Sequence, residues 1–167
     1  MTTVKVQNVV PRTHSRALLS GALGVFASLL VIAWARWAYN LPSAVDITSS
    51  QSQNLMLLQV GLGFVTLVGS GLMLARYTAA GGAINVLGAV GTFLIGAYFA
   101  SDIANAATAK DLTALPLRFS DYYSNTVKIP TDRIVSTFLI VPILPIALLL
   151  LISGLGALAT YRTSRRI

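Results

Sequence analysis

Four long apolar blocks, separated by polar stretches, set the plan of this 167-residue chain. They cover residues 17–37, 55–77, 84–104 and 135–158. Each is long enough for a helix to cross a bilayer, which takes about 20 apolar residues at roughly 1.5 Å rise. Inside the blocks almost everything is apolar, so the recurring feature is size. The third block places Gly88, Thr92, Gly96, Ala100 and Ala104 four residues apart, and the first does the same with Ser20, Gly24 and Ser28. In the second, Gly61 and Gly69 are assigned to one face and Gly63 and Gly71 to another. Small residues at helical spacing let a second backbone come close, which is how helices attach in lipid. The pattern predicts an all-α integral membrane protein, an antiparallel bundle of four transmembrane helices.

The polar stretches divide the rest. Residues 1–16 are a basic arm, 17–160 the membrane domain, and 161–167 a basic tail. The first block has the flanks of a signal peptide, with Ala33-Trp34-Ala35 as a cleavage-like site, but its apolar core is longer than such a segment needs. It reads as a retained helix with Trp34, Trp37 and Tyr39 as an aromatic belt. In the loop over residues 40–54, Ser52 or Asn54 is the expected cap of the second helix. Gly81 and Gly82 predict a turn over 78–83, making the second and third spans a hairpin. The segment 106–133 is long for an idle connection. Its alternating Leu115, Leu117 and Phe119 predict a short strand or flap on the bundle, and Phe119, Tyr122 and Tyr123 are candidates for partner or headgroup contact. Pro142 and Pro145 predict a kink in the fourth span. A short echo, Ser70-Gly71-Leu72 against Ser153-Gly154-Leu155, closes the second and fourth spans.

Composition narrows the function. A hydrophobic share of 55% with 10% charged residues lies outside the range of soluble domains. The net charge of +7 is not spread evenly. Threading the spans leaves Lys5, Arg12, Arg16, Arg76, Arg162, Arg165 and Arg166 on one side with no acid. On the other, Arg36, Lys110, Arg118, Lys128 and Arg133 balance Asp46, Asp102, Asp111, Asp121 and Asp132. The positive-inside rule then predicts cytoplasmic termini, most naturally in a prokaryotic cell membrane. Only Tyr77 and Tyr161 stand among the basic residues, too few to stack bases, so nucleic acid is not an expected partner.

Candidate chemistry is sparse. There is no cysteine and no glutamate, and the one histidine, His14, lies in the arm. No cofactor or metal site is expected, and no hydrolase or nucleotide-binding motif is present. Asp102 is the acid nearest the membrane, with Tyr98 and Asn105 on its strip, and an Asp102–Arg36 ion pair between two helix ends is expected. Gln59 and Asn85 are polar inside spans, as residues that fix helix register are. The expected function is non-catalytic: an accessory or structural subunit of a larger membrane complex, or a self-assembling component, whose partners are lipid and other membrane subunits or its own copies. The alternative is a small oligomeric channel or transporter with Asp102 and the Pro142/Pro145 kink near its path.

Overall fold

A computed structural model describes residues 12–41, 50–118 and 126–164. The helices are α1 (Arg12–Tyr39), α2 (Ser50–Leu74), α3 (Thr78–Ala109) and α4 (Ile143–Ser164). Between α3 and α4 lie two strands, β1 (Ala114–Arg118) and β2 (Thr126–Pro130). A 3₁₀ turn (Thr131–Arg133) and a π-wound segment (Ser136–Ile140) follow them. Among the described residues, four stretches of helix are long and apolar enough to cross a membrane. Each helix packs against its neighbours in sequence, α4 closes the ring against α1, and α1 and α3 stand on a diagonal. This is an all-helical four-helix bundle with one small hairpin.

The bundle is turned inside out relative to a soluble one. Leu19 and Leu87 are 72% and 71% exposed, while Gln59 and Asn85 are completely buried. Ser28, Ser52, Thr66, Ser70, Thr92 and Ser153 are buried as well. That distribution suits a lipid surround, where apolar side chains lose nothing by facing outward and polar ones need protein partners. With the four spans, it marks an integral multi-pass membrane protein. The inward positions step by three and four residues: Ser52, Met56, Gln59, Gly63, Thr66, Ser70 and Met73 on α2, and Asn85, Ala89, Thr92, Gly96, Phe99, Ile103 and Ala107 on α3. A three–four step is the seam of a left-handed bundle.

Helix ends depart from the expected turns. α2 stops at a tight closure in which Tyr77 N–H donates to the Leu72 carbonyl at 2.8 Å and Arg76 takes a φ of 74°. Because α3 begins at Thr78, Gly81 and Gly82 lie inside that helix as packing residues and not in the turn. Gly82 backs onto Gly154, where an added Cβ would meet the Gly154 carbonyl oxygen at 2.9 Å. α3 ends in a similar closure at Asp111, φ 52°, with Leu112 N–H donating to the Ala107 carbonyl at 3.0 Å. Leu87, Val90, Phe93 and Leu94 are exposed on α3.

The far end is closed by the hairpin. β1 and β2 pair antiparallel, Leu115 opposite Ile129 and Leu117 opposite Val127. Leu115, Leu117 and Ile129 are buried, while Pro116 and Lys128 are exposed, the alternation of a strand with one face on a core. They join Ala38, Leu41, Ile103, Ala107, Ile134 and Phe138 in one cluster. Phe119, Tyr122 and Tyr123, the contact candidates of the sequence, lie outside the described residues.

The expected kink in the fourth span is a change of winding. Ser136–Ile140 is π-wound, Val141 N–H donates to the Ser136 carbonyl at 3.3 Å, and α4 starts only at Ile143. Pro142 therefore stands just before α4 and Pro145 in its first turn, positions where a helix tolerates a missing N–H.

Candidate functional site

The buried polar side chains gather on the bundle axis toward the end that carries the termini. Asn85 on α3 is the hub: its Nδ2 donates to Ser70 Oγ on α2 at 2.9 Å and to Ser153 Oγ on α4 at 3.2 Å. Ser153 donates in turn to the Ser20 carbonyl of α1 at 2.8 Å, so all four helices are tied in one network. Ser70 donates back to the Thr66 carbonyl. The two serines are those of the sequence echo, and they meet on one amide. Gly24 supplies the room. A Cβ there would fall 2.5 Å from Asn85 Nδ2 and 2.6 Å from Ser153 Oγ, and closer still to Ser70 Oγ. Only a residue without a side chain admits this network to the axis.

Nearby, three buried polar groups have no protein partner. Both Gln59 side-chain atoms, Asn85 Oδ1 and Thr92 Oγ1 are unpaired. Thr92 is unusual, because Ser28, Thr66, Ser70 and Thr160 all donate to a carbonyl three or four residues back. An unpaired amide inside lipid is expensive. Gln59 and Thr92 thus leave polar atoms buried between the Asn85 network and the far end.

At the far end, the polar strip of α3 meets the start of α2. Gln51 Nε2 donates to Tyr98 Oη at 2.8 Å, and the Ser52 hydroxyl donates to the Asp102 carboxylate. Because α2 already begins at Ser50, Ser52 and Asn54 lie inside the helix and not at its cap, and Ser52 bonds across to α3. Arg36, the expected ion-pair partner of Asp102, stands on a different helix from both of these bonds. Arg36 is exposed on α1, and α1 lies diagonally across from α3. Trp34, expected in a lipid-facing belt, is 7% exposed and meets the Phe99 ring edge-on at 5.9 Å. Phe99 meets Phe138 edge-on at 6.2 Å, and Trp37 stacks on Phe138 at 6.1 Å. Beside this stack, Thr137, Val141 and Pro142 of the π-wound region help line an apolar cleft of about 330 Å³ with Trp37 and Leu117.

The chain matches no family model, no curated protein and no solved structure. Among the described residues no group of three or more His, Asp or Glu side chains is placed to hold a metal.

The small residues divide by direction. Gly24, Ser28, Gly63, Gly69, Gly88, Thr92, Gly96 and Ala100 are buried, and Ser20 is half-buried. An added Cβ at Gly88 would strike Thr66 of α2, and one at Gly96 would meet Ile143 Cδ1 of α4 at 2.5 Å. Gly61 and Gly71 face outward, with nothing within 4 Å of an added Cβ. The paired faces expected for α2 are thus redrawn: Gly63 and Gly69 point in, Gly61 and Gly71 point out. Sequence reasoning passed over Ser70 and Ser153 as a pair around Asn85, although the three–four step to Ser70 and the echo at Ser153 both signal it.

Proposed function

We propose that this protein is a non-catalytic accessory or structural subunit of a membrane assembly, with both termini in the cytoplasm. The observation that carries the reading is the packing of buried side chains at both ends of the bundle. The Asn85 network fills one end, and the Trp34–Phe99–Phe138 stack with the hairpin fills the other. With its interior taken up by its own side chains, the bundle is read as acting through its outer surface. On that surface α2 offers Gly61 and Gly71 among Leu57, Leu58, Phe64, Val65 and Val68, a strip low enough for another helix to lie against. The test is native mass spectrometry after extraction in mild detergent. Foreign subunits or a defined set of copies are expected, and Gly61→Phe should release them while the bundle stays folded. A stable lone monomer, unchanged by Gly61→Phe, defeats the reading.

A second reading, a small oligomeric channel or transporter, is favoured by the unpaired Gln59, Thr92 and Asn85 Oδ1 on the axis. In it, Asp102 stands at the mouth and the π-wound segment before Pro142 is the moving part, since such windings recur at functional sites. Flux into proteoliposomes that Asp102→Asn abolishes, with assembly intact, selects this reading over the first.

A further inference from the structure

Toward the ends of the chain, between α1 and α4, lies a cleft of about 270 Å³ unlike the apolar one at the far end. Arg16 and Thr163 line it near the helix ends, and Ser20 and Gly156 line it one to two turns deeper. Gly156 keeps it open: a Cβ there would reach within 2.8 Å of Ser20 Oγ. Thr160 and Thr163 donate their hydroxyl protons to the Gly156 and Ala159 carbonyls at 2.8 and 2.7 Å. Those two hydroxyls therefore present oxygen lone pairs, and the Arg16 guanidinium is the strong donor lining the cleft.

Two features select the chemistry of an occupant. First, charge: among the described residues the aspartates Asp102, Asp111 and Asp132 all lie toward the opposite end, so no described acidic side chain stands beside Arg16, and Arg162 adds a second cation there. Second, the lining is amphipathic. Leu19, which is largely exposed, and Ala159 line the cleft. A free anion has no use for that apolar wall. An amphiphile has use for both parts.

We propose that the α1–α4 cleft binds an anionic phospholipid of the leaflet at the basic end, its phosphate on Arg16 and its chain along Leu19. The full chain is placed in mixed phosphatidylcholine–phosphatidylglycerol nanodiscs, transferred to mild detergent, and its retained lipids are identified by native mass spectrometry. Wild type should keep phosphatidylglycerol in preference to phosphatidylcholine. Arg16→Gln should lower the retained phosphatidylglycerol about fivefold, the effect of one cation near an anionic surface. Ala159→Phe fills the cleft from an exposed position without changing charge, and should give the same loss. Thr163→Leu, also at an exposed position, is the independent second filler, and circular dichroism checks that each variant is folded. Equal retention of the two lipids by wild type overturns the proposal. So does full retention by both fillers, which would leave only diffuse attraction to the basic end. Displacement of the lipid by inorganic phosphate would make the site one for a free anion and overturn the lipid assignment.

Discussion

The two ends of the bundle are held by different physics. Toward the termini, the helices meet through Gly24, Gly82 and Gly154 and through hydrogen bonds from Asn85 and Ser153. Toward the hairpin they meet through large rings and aliphatics: Trp34, Phe99, Phe138, Leu115 and Ile129. Within the hydrocarbon, burying another leucine gains little, because lipid tails are equally apolar; close backbone packing and polar bonds do the joining. Where the hairpin rises toward water, removing apolar surface from solvent is again a driving force. The contrast teaches that this one fold combines a membrane-type seam with a soluble-type cap.

The largest expected effect is at the capped end. Phe99 is fully buried and meets two other rings, so Phe99→Ala should destabilise the bundle by about 3 kcal/mol, the cost of a large cavity. Reversible unfolding in mixed detergent measures it. A change below about 1 kcal/mol would mean that lipid fills the gap, and would remove the distinction between the ends. Next comes the close-packed end. Gly24→Ala places a methyl group among Ser70, Asn85 and Ser153 and should cost about 2 kcal/mol, while Gly61→Ala, facing outward, should be neutral. Equal effects at the two glycines would show that helix propensity, and not space, governs both.

Those residues also mark how far the sequence could be read. The spans were legible because hydropathy over some twenty residues needs no knowledge of neighbours. The hairpin strand was legible from Leu115 and Leu117, since alternation is a local signal. The inward face of each helix was harder, because the apolar residues lie all round and define no side. A spacing of four does not keep a face for long, and at eight residues the drift is roughly a quarter turn at 3.6 residues per turn. That is why Gly61 and Gly69 point apart. The Asn85 hub depends on which helices are adjacent in the ring, and no local pattern carries that.

The hub itself is the third test. Asn85→Ala removes two hydrogen bonds and should cost about 1 kcal/mol, in line with interhelical bonds in lipid, with Ser70→Ala and Ser153→Ala smaller and not additive with it. Additivity across the three would mean that the serines and the amide do not act as a unit. The measurement is the same unfolding titration, run as double-mutant cycles.

Gln59 carries the smallest expected change and the most informative sign. It lies on the α2 seam between the two ends, fully buried, with neither its amide nitrogen nor its oxygen paired to protein. An unpaired buried amide opposes folding, whereas an apolar side chain of similar shape in its place is neutral or favourable. On the subunit reading, Gln59→Leu should therefore leave stability unchanged or raise it by up to about 1 kcal/mol, with assembly intact. On the transport reading, the amide serves something that passes along the axis, and Gln59→Leu should abolish flux whatever it does to stability. Thr92→Val gives the companion test one turn further along the seam of α3, where the hydroxyl is likewise unpaired. If both substitutions stabilise and no flux is lost, the polar groups between the two ends are tolerated passengers of a packing protein. If both destabilise, the axis holds a partner for them, and the middle of the bundle belongs to neither end.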